Sequence, residues 1–380
     1  MLVGILGGGQ LGQMLAQAGA RIGVRCRFLD PDPDACAGSA GELITGSFDD
    51  ERALTRFASG CDAVTFEFEN VPAAAVRHVA RILGDHCVRP GPACLEVAQD
   101  RVSEKQFFAR AGLETPAWFA VDSAAQLRDA VAGGGPVGVP CVLKTRRGGY
   151  DGKGQAVLRS ADDTERAWAA IGGHPAIVER LVPFTRELSV IAVRGVDGTG
   201  GAFDHYPLVE NTHERGILRV SRAPAPSVDA RVEREAVAHV RTLMETMNYV
   251  GVLAVELFEV NGVLLANEMA PRVHNSGHWT IEGAHTSQFE NHLRAVCGLP
   301  LGPCDARGPS AMVNFIGGVP RESDITSIPG AHAHLYGKAG RAGRKVGHAT
   351  LVGEPGAVHQ GIEPALARLR EVAARCDAVC

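Results

Sequence analysis

Between residues 144 and 155 the chain reads Lys144-Thr145-Arg146-Arg147-Gly148-Gly149-Tyr150-Asp151-Gly152-Lys153-Gly154-Gln155. Strand-like runs flank it, Pro140–Lys144 before and the segment around Val157 after, so the stretch is a hairpin flap and opens no helix. Four of the seven residues from 148 to 154 are glycine. Glycine permits positive φ and lets successive backbone N–H groups converge on an anion. Lys144, Arg146, Arg147 and Lys153 surround the turn with positive charge, which a purely structural turn would not need. A Walker A loop is excluded, because Lys153 is followed by Gly154 and not by Ser or Thr. The expectation is a flap that covers phosphates.

Upstream, a short apolar strand, Leu2–Leu6, runs into Gly7-Gly8-Gly9-Gln10-Leu11-Gly12 and a helical stretch to about Ala20. A second strand, Val24–Leu29, ends in Asp30, which completes a βαβ opening with G-x-G-x-x-G and a following acid. That pattern alone suits an NAD-dependent dehydrogenase; the glycines say only that some phosphate approaches a helix N-terminus. A further strand, Ala63–Phe68, leads to Glu69 and Asn70, where parallel sheets bind ligands. Asn70 can equally cap a helix starting near Pro72. Arg89-Pro90-Gly91-Pro92 closes the unit. The next helix, Ala93–Ala111, carries Asp100, Arg101 and Lys105, with 101 and 105 on one face and a solvated charged face as the structural reading.

Downstream, strand Ala176–Glu179, the linker Arg180-Leu181-Val182-Pro183 and a strand from near Glu187 suit an adenine pocket. Two apolar strands then flank Asn261-Gly262, a hairpin signal. Each strand carries carboxylate in apolar company: Glu256 in the first, Asn267-Glu268 in the second. This all-oxygen set suits Mg²⁺, and the alternative is pairing with arginines. A strict two-residue turn would pair 256 with 267; a three-residue turn with a bulge and Gly262 left-handed pairs 256 with 268, and the second is expected. His274 and His278 are four apart, but Asn275-Ser276-Gly277 between them argues against a helical zinc pair.

The 380 residues are 45% hydrophobic and 21% charged with a net charge of −5, a soluble globular composition spanning two or three packed units. Nucleic-acid and anionic-membrane surfaces are not expected from that charge, and no apolar run is long enough for a span. None of the ten cysteines forms Cys-x-x-Cys, so reduced thiols in a cytoplasmic protein are expected.

The flap, Glu179, Glu187, Glu256 and Asn267-Glu268 together resemble the ATP-grasp ligases. The stretch Asn267–Trp279 with Gly343-Arg344-Lys345-Val346-Gly347-His348 is similar to the 5-(carboxyamino)imidazole ribonucleotide synthases of purine biosynthesis, in order from Gly7 to His348. The resemblance implies an α/β fold: a Rossmann-like domain over 1–92, a two-lobed ATP-grasp domain over 93–305 with the flap-bearing part at about 115–182, and a small β-rich domain over 306–380. It implies carboxylation of aminoimidazole ribonucleotide by bicarbonate through carboxyphosphate, in a homodimer using ATP and two Mg²⁺. Another ATP-grasp ligase, with formate or glycine in place of bicarbonate, is the nearest alternative.

By the same resemblance, Lys144, Lys153, Arg101 and the flap residues Gly149, Tyr150, Asp151, Gly152, Gly154 and Gln155 would hold the phosphates. Glu179, Arg180, Leu181 and Val182 would hold adenine, Glu187 the ribose, and His213 the nucleotide. Glu256 and Glu268, beside Asn267, would hold the metal. Arg272, His274, Asn275 and Ser276 would position bicarbonate, with Tyr150 and Asp151 also near it. Gln10, Glu69, Asn70, Lys338, Arg344 and Lys345 would bind the ribonucleotide, and His274 or Asp151 would take the amine proton.

Overall fold

The computed structural model describes residues 1–149, 152–196 and 202–377; Tyr150 and Asp151 lie outside them. Among the described residues the strands form three sheets. The first is fully parallel, β1 (Leu2–Leu6), β2 (Arg25–Asp30), β3 (Glu42–Thr45) and β4 (Ala63–Phe66), in the order β3-β2-β1-β4. The central strand β1 is apolar from Leu2 to Leu6 and buried from Val3 onward, as a parallel strand covered on both faces requires. The helix Gln10–Arg21 buries Leu11, Met14 and Leu15 against it.

The second sheet is antiparallel: β5 (Trp118–Val121), β6 (Cys141–Thr145), β7 (Gln155–Leu158) and β8 (Ala176–Arg180), ordered β5-β8-β6-β7. The flap connects β6 to β7. The third sheet holds β9 (Arg186–Arg194), β10 (Phe203–His205), β11 (Val209–Glu214), β12 (Ile217–Ala223), β13 (Gly251–Val260), β14 (Val263–Ala270), β15 (Ser310–Gly317), β16 (Ala331–Leu335) and β17 (Arg341–Val352). Its order is β14-β13-β9-β11-β12-β15-β17-β16, with β10 beside β9. The C-terminal strands therefore extend the sheet that carries the carboxylate hairpin, through the β12–β15 pairing.

One buried histidine joins the first and third sheets. His292 accepts the Val252 N–H on Nδ1 at 3.0 Å, so its Nε2–H is left to donate to Thr65 Oγ1 at 2.9 Å. Phe289 and Leu293 of the same helix share a core with Leu15 and Val3.

Three local expectations change. The expected helix Ala93–Ala111 is two helices, Pro92–Ala98 and Arg101–Arg110, because Asp100 turns inward and caps the second through the N–H groups of Val102 and Ser103. Its charged residues form no solvated face: Glu104 and Lys105 are 2% and 0% exposed. Asn70 does not cap the helix Ala73–Leu83, whose cap position is taken by Pro72 without a side-chain bond.

The third change concerns the hairpin. Glu256 does pair with Glu268, but through a different route. The turn is the strict two-residue kind, with Asn261 and Gly262 both at positive φ and Val260 opposite Val263. The extra residue sits farther along, where Leu257 opposes Ala266 and Glu256 opposes Glu268, so Asn267 is the bulge.

Candidate active site

A cavity of about 1400 Å³ lies where the three sheets meet. Of the residues selected from the sequence, it brings together Gln10, Glu69, Asn70, Arg101, Lys144, Gly149, Gly152, Lys153, Gln155, Leu181, Glu187, His213, Glu256, Asn267, Glu268, Arg272, His274, Asn275, Lys338, Arg344 and Lys345. Gly154, Glu179, Arg180, Val182 and Ser276 do not line it.

Glu179 is displaced from its expected role at a base by its own surroundings. Its buried carboxylate lies 2.9 Å from Lys144 Nζ and 3.5 Å from Lys105 Nζ. Burial opposes its ionisation, but the two ammonium groups outweigh that and hold its pKa down to about 2. Arg180 points away and donates to the Val137 carbonyl. The backbone N–H groups of Arg180 and Leu181 already bond Ala117 and Pro140. The apolar wall at this end comes from Leu181, Val157 and Phe184, the last stacked on Phe258 at 4.9 Å. Glu187 and His213 Nδ1 are in contact at the rim; burial works against the charged ring, and the Glu187 hydrogen bond outweighs it and raises the pKa.

At the hairpin, Glu268 receives Arg101 Nη1 at 2.8 Å, and Asn267 Oδ1 accepts from Lys144 Nζ at 3.4 Å. The arginine alternative is therefore realised at Glu268. Burial and then the Glu268 charge push Glu256 up to about 7. Burial also opposes charge on Glu268, but Arg101 and Lys144 outweigh it and hold it at about 2. Two carboxylates facing each other across β13 and β14 that cannot both ionise freely, with the Asn267 amide next to Glu268 in sequence, are a donor set a divalent cation satisfies.

At the other end the three parts of the chain meet. Gln10 Oε1 accepts from Lys338 Nζ, and Glu69 pairs with Arg272. His274 Nδ1 lies 2.8 Å from the buried Ser276 hydroxyl and its Nε2 lies 3.6 Å from Glu256. Burial, then Arg272 and Lys345, lower the His274 pKa to about 3, so the ring is neutral. Ser276 thus orients His274 and has no wall of its own.

In the glycine loop of the first sheet, the N–H groups of Gly8, Gly9 and Gly12 are taken by the chain's own acids. Glu67 accepts from the N–H of Gly9 and, at 2.7 Å, from that of Gly12; Asp30 accepts from Gly8 at 2.7 Å. A Cβ on Gly9 would come within 2.5 Å of the Glu67 carboxylate, so glycine here admits an internal acid. The dinucleotide pattern is filled from within, which removes the dehydrogenase reading. Asp100 does the corresponding job at the flap base, taking Arg146 Nε at 2.7 Å and Arg147 at 3.0 Å. Sequence reasoning gave Glu67 and Glu104 no role, and it read Asp100 and Lys105 as part of a solvated charged face although both are buried.

Family models match along the chain: the ribonucleotide synthetase preATP-grasp domain over residues 1–99, the ATP-grasp domain over 106–289, and the phosphoribosylaminoimidazole carboxylase C-terminal domain over 310–358. The N5-carboxyaminoimidazole ribonucleotide synthase of Pseudomonas aeruginosa is 51% identical over 351 residues, covering 92% of this chain and 94% of that protein. The chain belongs to the N5-carboxyaminoimidazole ribonucleotide synthase family. The Bacillus subtilis member is 40% identical, covering 93% of this chain and 92% of its own. Among solved structures, the Thermus thermophilus synthetase superposes with a TM-score of 0.90 at 52% identity, covering 97% and 98% of the two chains. An Aspergillus clavatus synthase in complex with ADP and 5-aminoimidazole ribonucleotide superposes with a TM-score of 0.87 at 31% identity, covering 98% and 99%. The family's ATP-grasp architecture is that of this chain, and no helix among the described residues is long and apolar enough to cross a membrane.

Proposed function

We propose that this chain carboxylates the exocyclic amine of 5-aminoimidazole ribonucleotide with bicarbonate, cleaving ATP to ADP and phosphate. The observation that carries the reading is one cavity with a cationic, flap-covered, carboxylate-bearing end and a second end assembled from the first domain and the C-terminal strands. Full-length similarity to the family supports the substrate.

Bicarbonate resists attack because its carbon is electron-rich and hydroxide leaves badly. A bicarbonate oxygen attacks the γ-phosphorus, and the bond from phosphorus to the ADP oxygen breaks. The amine nitrogen of the ribonucleotide then attacks the carbon of the resulting carboxyphosphate. The carbon–oxygen bond to phosphate breaks, and the amine loses a proton. Lys144, Lys153 and Arg101 bind the phosphates, and the flap at Gly149, Gly152 and Gln155 excludes water from them. Arg101 would exchange its Glu268 partner for phosphate. Leu181, Val157 and Phe184 sandwich the base, while Glu187 and His213 hold the ribose.

Glu256 and Glu268, with Asn267 beside them, would hold Mg²⁺, which when bound offsets charge on the transferring phosphoryl group. Arg272, held by Glu69, and neutral His274 orient bicarbonate together with Asn275. Burial and the neighbouring cations make the His274 ring a weak proton acceptor, and His274 and Asp151 are the two candidates for the amine proton. Gln10, Asn70, Lys338, Arg344 and Lys345 bind the ribonucleotide.

The test is phosphate release from MgATP with and without the ribonucleotide, in buffer with and without labelled bicarbonate. Ribonucleotide-dependent release with label appearing in an acid-labile carbamate is expected. Release indifferent to the ribonucleotide would overturn the substrate assignment.

A further inference from the structure

Two titratable residues, Glu104 and Lys105, lie buried under the carboxylate strand, outside every role assigned above. β14 is the edge strand of the third sheet, and an edge leaves backbone groups to be satisfied by something else. The helix Arg101–Arg110 covers it. Lys105 Nζ donates to the carbonyls of Asn267 at 2.6 Å and Ala266 at 3.3 Å. Glu104 Oε1 accepts the Met269 N–H at 2.7 Å. The Ala266 N–H goes to the Glu114 carbonyl at 2.7 Å. These bonds fall on the residues around the Asn267 bulge, where the register to β13 slips by one.

Burying two titratable side chains has a desolvation cost whichever protonation state they hold, and apolar residues of the same size would fill the space without it. What apolar residues cannot do is fix three backbone groups of an irregular strand at once. Without the bulge, the alternation of a regular strand would put Asn267 opposite Glu256 and turn Glu268 to the other face. Lys105 also lies 3.5 Å from Glu179, the partner of Lys144, so one ammonium links the carboxylate strand to the phosphate-binding lysine of the second sheet.

We propose that Lys105 and Glu104 are positioning residues: they clamp the Asn267 bulge of β14 and thereby hold Glu268 and Asn267 beside Glu256 for the metal–nucleotide complex. This inference rests on the carboxylation reading and deepens its metal site. Neither residue contacts the ribonucleotide end of the cavity.

The experiment measures, by titration calorimetry on the full-length protein, the affinity for a non-hydrolysable ATP analogue with Mg²⁺ and, separately, for aminoimidazole ribonucleotide. The main variant is the double substitution Lys105→Met with Glu104→Leu, which removes both titratable groups together and leaves neither buried without the other. Expected is at least a tenfold loss of Mg²⁺–analogue affinity with ribonucleotide affinity within twofold and thermal stability retained. Retained Mg²⁺–analogue affinity, or equal losses at both ends, would overturn the proposal. Should the double variant fail to fold, Lys105→Arg is read in the same way; it keeps the charge but cannot reproduce the three contacts, and about a threefold loss confined to the Mg²⁺–analogue titration is expected, an unchanged value overturning the clamp. Glu268→Gln separates the two levels. If it leaves Mg²⁺ dependence unaltered, the metal reading itself fails; if it abolishes that dependence while the clamp variants do not, only the clamp fails.

Discussion

Two glycine-rich loops stand in this molecule, and they end in opposite states. Residues 7–12 open a helix whose N–H groups are met by the chain's own acids, Glu67 and Asp30. In the second, Gly148, Gly149, Gly152 and Lys153, with Lys144 at the end of β6, face a cavity lined by carboxylates and an apolar wall. Both loops have the backbone chemistry to receive an anion. The difference lies in distant residues: an acid at the end of β4 occupies the Gly9 and Gly12 N–H groups of the first, while Asp100 takes the arginines behind the second and leaves Gly149, Gly152 and Lys153 facing the cavity. A glycine pattern announces an anion and not its source.

The largest expected effect is at the open loop's metal carboxylates. Glu268→Ala is expected to lower turnover by about 10³-fold or more, in line with the loss of a metal's contribution to phosphoryl transfer, with circular dichroism unchanged. Near-normal phosphate release at saturating Mg²⁺ would break the contrast between the loops. At the closed loop, Glu67→Ala leaves two buried N–H groups unpaired and is expected to cost about 2 kcal/mol. Thermal melts should then show partial recovery with millimolar phosphate, since the variant uncovers the helix N-terminus; no response to phosphate would mean that Glu67 is not what closes the loop.

Proton linkage sharpens the comparison further. Glu256 is raised to about 7 in the folded protein, so between the ordinary carboxylate range and that value the native state binds more protons than the unfolded chain. Metal-free stability should therefore fall as pH rises through this window. Mg²⁺ competes with the same proton, so half-saturating Mg²⁺ should rise by about tenfold per pH unit below neutrality. A flat profile would contradict the paired-carboxylate assignment. The smallest effect is at the far end of the cavity: Lys345→Ala is expected to raise KM for the ribonucleotide by about tenfold and that for ATP by less than twofold. Equal rises would remove Lys345 from the ribonucleotide end.

Legibility followed sequence distance. The flap, the Asn261-Gly262 turn and the Glu256–Glu268 pairing were readable because turn chemistry and alternation are local. The route to that pairing was not, since the bulge at Asn267 is imposed by Lys105 and Glu104 from another element. The break at Asp100 was hidden because its carboxylate answers to Arg146, 46 residues on. Gln10 and Lys338, 328 residues apart, meet only because β15–β17 continue the third sheet back over the first; the family resemblance named both, and no spacing rule could have joined them.

The central claim is that one open loop activates bicarbonate by phosphorylation. Turnover with ¹⁸O-labelled bicarbonate, MgATP and aminoimidazole ribonucleotide, followed by ³¹P NMR of the released phosphate, tests it most directly. The account predicts one labelled oxygen carried from bicarbonate into each phosphate formed. Unlabelled phosphate accompanied by full carboxylation would contradict it.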